Sequence, residues 1–197
     1  LINDARHHQV VVHPVDVNHS HWDHEALPDG SVRLGLRLVK GMNQDAALRL
    51  INARPDTGYK TISDCTQASL LNRKEREALA SSGAFGALSE HRYHARWQAA
   101  EPQNISYQPD LLAPLAMPDE WTLDAPNEVD NLLEDYQSLG VTLGRHPMEV
   151  LREQGLLGNS VTAEGLKQLK HGDESYISGI VTCRQRPGTS AGVTFIT

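Results

Sequence analysis

The spacing of apolar residues changes several times along the chain, and each change marks an expected element. Val10-Val11-Val12 is a short apolar run closed by Pro14, which predicts a strand after a short helix-like start. From Ser31 to Leu38, Val32, Leu34, Leu36 and Leu38 alternate with polar residues that include Arg33 and Arg37, the period of a half-buried strand. The period then lengthens. Ala47, Leu50 and Ile51 share a helix face, and Arg54-Pro55 predicts where that helix stops. Thr61 offers an N-cap to the next helix, and Leu71 to Ser81 is a third helical run. Glu128 to Leu139, Pro147 to Gln154 and Thr162 to Leu169 also read as helices. Ser175 to Thr182 and Val193 to Thr197 read as strands joined by a basic loop, Cys183 to Gly192. Two such strands are not stable alone, so they read as the opening of a small barrel. The expected class is mainly α with a small β portion.

Two glycine-centred bends stand out within this pattern. The first lies in Leu38-Val39-Lys40-Gly41-Met42-Asn43-Gln44, before the helix that carries Leu50; the second lies in Ser82-Gly83-Ala84-Phe85-Gly86 and leads to His91-Arg92-Tyr93. Glycine takes the positive φ of a tight bend and lets a ligand approach the backbone. The helix that follows aims free N–H groups and the positive end of its dipole at an anion. Both stretches read as helix-hairpin-helix units, for which the natural anion is a DNA phosphate. Such contact is blind to base sequence and sensitive to salt. The plainer alternative is that Gly41 and Gly83 are ordinary helix C-caps; two bends in tandem favour the hairpins.

Charge sharpens the picture. The whole chain carries −7, yet residues 31–98 hold 11 Lys and Arg against 6 acids, a balance of +5, flanked by −4 before and −8 after. A basic centre between acidic flanks is an interaction surface. Arg73, Lys74 and Arg76 alternate with Glu75 and Glu77 and read as a solvated helix face. Between Glu101 and Asp135 there are nine acids and five prolines with no Lys or Arg, the composition of a linker that lies away from DNA. Within it, Gln108-Pro109-Asp110-Leu111-Leu112 resembles peptides that dock on sliding clamps, although anchoring to its own domain is the commoner use of such a match.

The remaining composition excludes more than it assigns. At 197 residues, with 39% hydrophobic and 22% charged, the chain has ordinary globular composition for one large or two small domains. No apolar run reaches membrane-spanning length. Leu1 is not preceded by Met or by a basic-then-apolar leader, and Thr197 falls inside an expected strand, so the reading is a piece of something longer. Cys65 and Cys183 lie far apart without CxxC spacing, which fits a reducing cytoplasm. His19, His21 and His24 with Asp16 and Asp23 can be drawn as a metal site, but no periodic element aims them together, so no metal is expected.

Several stretches together carry a family likeness. Pro14-Val15-Asp16-Val17-Asn18-His19-Ser20-His21-Trp22-Asp23, Val32 to Gly41, Gly83-Ala84-Phe85, His146-Pro147, Val181 to Thr189 and Gly192 to Thr197 resemble, in order, the C-terminal third of bacterial C-family DNA polymerases, the polymerase III alpha-subunit family. The Arg184-Gln185-Arg186-Pro187-Gly188-Thr189 loop and His91 to Trp97 resemble the error-prone branch of that family more than the replicative one. Asn43 departs from the family pattern, which has a second small residue there.

The resemblance implies a layout: the end of a fingers domain over 1–30, a tandem helix-hairpin-helix domain over 31–98, an acidic helical connector over 99–172, and the first strands of a truncated OB barrel over 173–197. It implies contacts to double-stranded primer-template by Lys40, Gly41, Asn43, Gly83, Gly86 and Arg92, and to single-stranded template by Arg184 and Arg186 in the barrel loop. The palm with its Mg2+-binding carboxylates would lie upstream, so these residues are expected to hold no cofactor and no catalytic group. Protein partners implied are a sliding clamp or other mutasome proteins. The competing class is a non-catalytic hairpin-plus-barrel scaffold from a repair or single-strand-binding factor; paired palm aspartates upstream would favour the polymerase.

Overall fold

The computed structural model describes residues 2–100, 123–189 and 192–197, and the clamp-like peptide at 108–112 lies outside them. The chain forms two compact units, Leu1–Gly144 and Arg145–Thr197.

The first unit opens with α1 (Ile2–His7) and a small sheet of β1 (Val12–His13), β2 (Glu25–Ala26) and β3 (Val32–Arg33). β3 is central, parallel to β1 with Val12 opposite Val32, and antiparallel to β2 with Glu25 opposite Arg33. The alternation over 31–38 predicts a longer strand than the one observed. β3 stops at Arg33, and Leu36–Leu38 turns into a 3-10 helix. The reason is tertiary: residues 21–22 lie across Gly35, where His21 and Trp22 carbonyls accept from Leu36 and Arg37 N–H.

Helices α2 (Gln44–Asn52), α3 (Ile62–Ala68), α4 (Arg73–Ser81), α5 (Arg92–Ala100) and α6 (Glu128–Ser138) complete the unit. Their starts follow cap chemistry: Asn43, Thr61, Asn72 and Asn127 each accept from the third residue onward. One apolar cluster gathers Val15, Val17, Leu36, Leu50, Leu79 and Phe85. Residues 14–20 are sewn into it rather than set apart at Gly30. Val17 N–H donates to the Ala84 carbonyl, and the Asn18 side chain pairs with both backbone groups of Tyr59 at 2.7 and 3.1 Å. Arg54 reaches the Ser20 carbonyl at 2.7 Å, and its half-buried guanidinium is shifted down by loss of solvent.

Cys65 lies in this core, where burial pushes its thiol up to about 12, while Cys183 is only partly covered. A thiol titration at pH 8 is therefore expected to register Cys183 in the folded protein and Cys65 only after unfolding. Equal rates for the two would contradict the packing around α3.

In the second unit, α7 (Pro147–Glu153) starts at His146, whose ring accepts from Met148 N–H, and buries Val150. α8 (Ala163–Leu166) follows. β4 (Arg184–Gln185) pairs antiparallel with β5 (Phe195–Ile196). The strand expected over 175–182 does not form; β4 falls inside the expected loop. Tyr176 and Ile177 are 78% and 67% exposed, so the apolar alternation has no opposing face to bury it. Among the described residues no helix is long and apolar enough to cross a membrane.

Candidate nucleic-acid interface

The first bend has the expected form. Gly41 takes φ +96°, Met42 is buried, and Asn43 accepts from Ala46 N–H at 2.8 Å to start α2. Asn43 is thus a helix cap, and the departure from a small residue keeps the amides of Gln44 and Asp45 at the open helix end. A Cβ on Gly41 would meet only Ala78 at 3.5 Å, so the positive φ, not crowding, requires glycine.

The second bend is not where glycine marked it. α3 and α4 are joined by Ser69-Leu70-Leu71-Asn72, in which Leu70 has φ +50°, Leu71 is buried, and Asn72 caps α4 by accepting from Glu75 N–H. This repeats the first turn in order: a positive-φ residue, a buried apolar residue, an asparagine cap, a helix. Leu70 N–H donates to the Gln67 carbonyl and Leu71 N–H to the Thr66 carbonyl, the double closure usually built around glycine. Leucine there carries no composition signal; the repeat of apolar-Asn before a helix was the signal that could have found it.

Gly83, expected at the second hairpin, instead ends α4. Its N–H and that of Ala84 donate to the Ala80 and Leu79 carbonyls at 3.2 and 3.1 Å. Gly86 N–H and Leu88 N–H are likewise bound within the segment, to Gly83 and Phe85 carbonyls. These amides are therefore turned inward. Arg92 fills the same corner, donating to the Ser81 carbonyl at 3.2 Å and to Asp135 of α6 at 2.6 Å. It is mostly buried, an internal ion pair rather than an open cation.

Lys40 is also engaged, its Nζ on the Tyr136 carbonyl at 2.9 Å and its N–H on the Ser138 carbonyl at 2.8 Å. Arg96 pairs with Glu134 at 2.9 Å. A groove of about 440 Å³ runs between these elements, lined by Lys40, Gly41, Lys74 and Arg96 with Glu77 and Glu134. Arg73 and Lys74 are exposed at the start of α4. Glu75, beside them, is buried: it closes the cap by accepting from Asn72 N–H and pairs with Arg49 of α2 at 3.1 Å, which fixes α4 against α2. The acidic segment expected to lie away from DNA thus meets this basic surface through α6, as opposite charges within 3 Å favour.

Arg184 and Arg186 are exposed in the second unit, on and beside β4. The histidines go to separate places: His19 to Asp16 at 3.1 Å, His21 to Glu25 at 3.7 Å, and His24 to the Gly35 N–H at 3.0 Å.

A family model described as helix-hairpin-helix motif matches residues 9–95, which takes in both turns and the residues sewn beneath them. Proteins named error-prone DNA polymerase align with the whole chain: 45% identical in Vibrio campbellii, 43% in Vibrio parahaemolyticus and 38% in Hahella chejuensis. The chain spans 19% of the length of each of these relatives. Over its whole length, the chain is similar to a segment of proteins named error-prone DNA polymerase.

Proposed function

We propose that this chain is a duplex-DNA-binding segment of an error-prone DNA polymerase, the parent being a cytoplasmic nucleotidyltransferase that acts in damage-induced mutagenesis and translesion repair synthesis. In this reading the segment holds primer-template by its phosphates and leaves nucleotide addition, with Mg2+, to a palm upstream. The observation that carries the reading is the repeated turn, which ends in two asparagine-capped helix starts: α2 beside Lys40 and α4 with Arg73 and Lys74 in its first turn. A backbone phosphate offers an acceptor for those amides and a charge for those cations. Arg184 and Arg186, exposed in the second unit, are proposed to follow single-stranded template.

Fluorescence anisotropy with labelled duplexes of unrelated sequence, at several salt concentrations, tests this. Lys74→Ala is expected to weaken binding alike for every duplex and to lower the slope of log affinity on log salt by about one unit, as loss of one phosphate contact does. A loss confined to one sequence would contradict phosphate recognition.

A further inference from the structure

α6 lies on the cations that a phosphate grip would use. Asp135 holds Arg92 at 2.6 Å and Glu134 holds Arg96 at 2.9 Å; the Tyr136 carbonyl accepts from the exposed Lys40 ammonium at 2.9 Å, and the Ser138 carbonyl accepts from the Lys40 backbone N–H at 2.8 Å. The last contact puts the negative end of the α6 dipole against the residue that precedes Gly41. Three cations, two of which (Lys40 and Arg96) line the groove, therefore meet one acidic helix.

The apolar side of the docking is thin by comparison. Ser138 is the one buried residue of α6, and Leu133 and Tyr136 are 51% and 40% exposed. By contrast, Leu79 of α4 is fully buried and Phe85, just after that helix, is too. Leu139 and Leu143, which follow α6, are packed against the core and keep its C-terminal end in place. An element attached mainly by charge is sensitive to salt and open to competition by a polyanion, because phosphate oxygens satisfy guanidinium and ammonium groups as carboxylates do.

We propose that α6 is an acidic gate on the hairpin unit: it occupies Lys40, Arg92 and Arg96 in the free protein and is displaced when duplex DNA binds. The proposal rests on the duplex-binding reading above. Its consequence is that removing an acid from α6 tightens DNA binding by freeing a cation, beyond the general effect of lower negative charge.

The test compares the full chain with Glu134→Gln and, as a charge-matched control in the second unit, Glu164→Gln. Duplex affinity is measured by anisotropy at about 0.1 M salt, and hydrogen exchange of α6 amides is followed with and without DNA. Release of Arg96 is expected to raise duplex affinity by about fivefold, the effect of roughly one added phosphate contact at that salt, with little change in the control. In the wild-type chain, DNA is expected to speed exchange across α6. Duplex binding by the wild type with no gain for Glu134→Gln over the control, or with α6 protected by DNA, overturns the gate and leaves the duplex reading standing. Absence of duplex binding by all three proteins overturns the duplex reading and the gate with it.

Discussion

Phe85→Ala is expected to lower the unfolding free energy of the first unit by about 4 kcal/mol, the middle of the range for emptying a fully buried phenylalanine site. Among the described residues, Phe85 is the largest side chain with no exposure, and it lies just after the Gly83 cap, between α4 and α5. Its neighbour Ala84 is also buried and accepts from Val17 N–H, so the cavity would open where three parts of the chain meet. For a domain whose total stability is on the order of 5–15 kcal/mol, this is a large fraction. Urea unfolding followed by circular dichroism would show the midpoint fall with an unchanged slope. A loss under about 1 kcal/mol would mean that the segment between α4 and α5 is not part of the core. Duplex binding should persist below the new midpoint, because Phe85 presents nothing to solvent.

Gly35→Ala is expected to cost about 3 kcal/mol or more, for a different reason. Gly35 has an ordinary extended backbone, φ −85°, so conformation does not require glycine there. Space does: a Cβ would run into the backbone of Trp22 and Asp23. Relief requires residues 21–24 to move away, which breaks the bonds from Leu36 N–H to His21 and Arg37 N–H to Trp22, at 2.9 and 3.0 Å, and the bond from Gly35 N–H to His24. Because Leu36 begins the 3-10 helix that leads into Gly41, the first turn should shift as well. Thermal melting would fall by many degrees, and duplex affinity at low temperature would fall with it. Gly179→Ala, with open space around its Cβ position, serves as the silent comparison. A Gly35→Ala protein that melts like the wild type would refute the close approach of residues 21–23.

The two turns illustrate what kind of information a sequence holds. Gly41 was legible because glycine is the usual residue at positive φ, and the helix after it shows a clean apolar face on Leu50 and Ile51. The second turn was not legible by that rule, since Leu70 holds the positive φ and Gly83, the glycine that marked the expected bend, ends a helix instead. The same limit explains the strand over 31–38. Its alternation is real, but Leu36 and Leu38 lie in a 3-10 helix because another segment crosses at Gly35. Contacts between distant segments leave no periodic trace in either of them.

By itself, the sequence determined several of the helices, through the Thr61 cap, the stop at Pro55 and the spacing of Ala47, Leu50 and Ile51, because these depend on residues within one or two turns of each other. It also determined the basic centre and acidic flanks, since charge is carried by composition. Only the tertiary structure decided which cations remain open. Arg73 and Lys74 stand exposed at the start of α4, whereas Arg92 and Arg96 are ion-paired to α6 and Lys40, also exposed, reaches its Tyr136 carbonyl, in a helix some forty to a hundred positions away in the chain. The physical reason is that an ion pair depends on distance in space, and packing alone sets that distance.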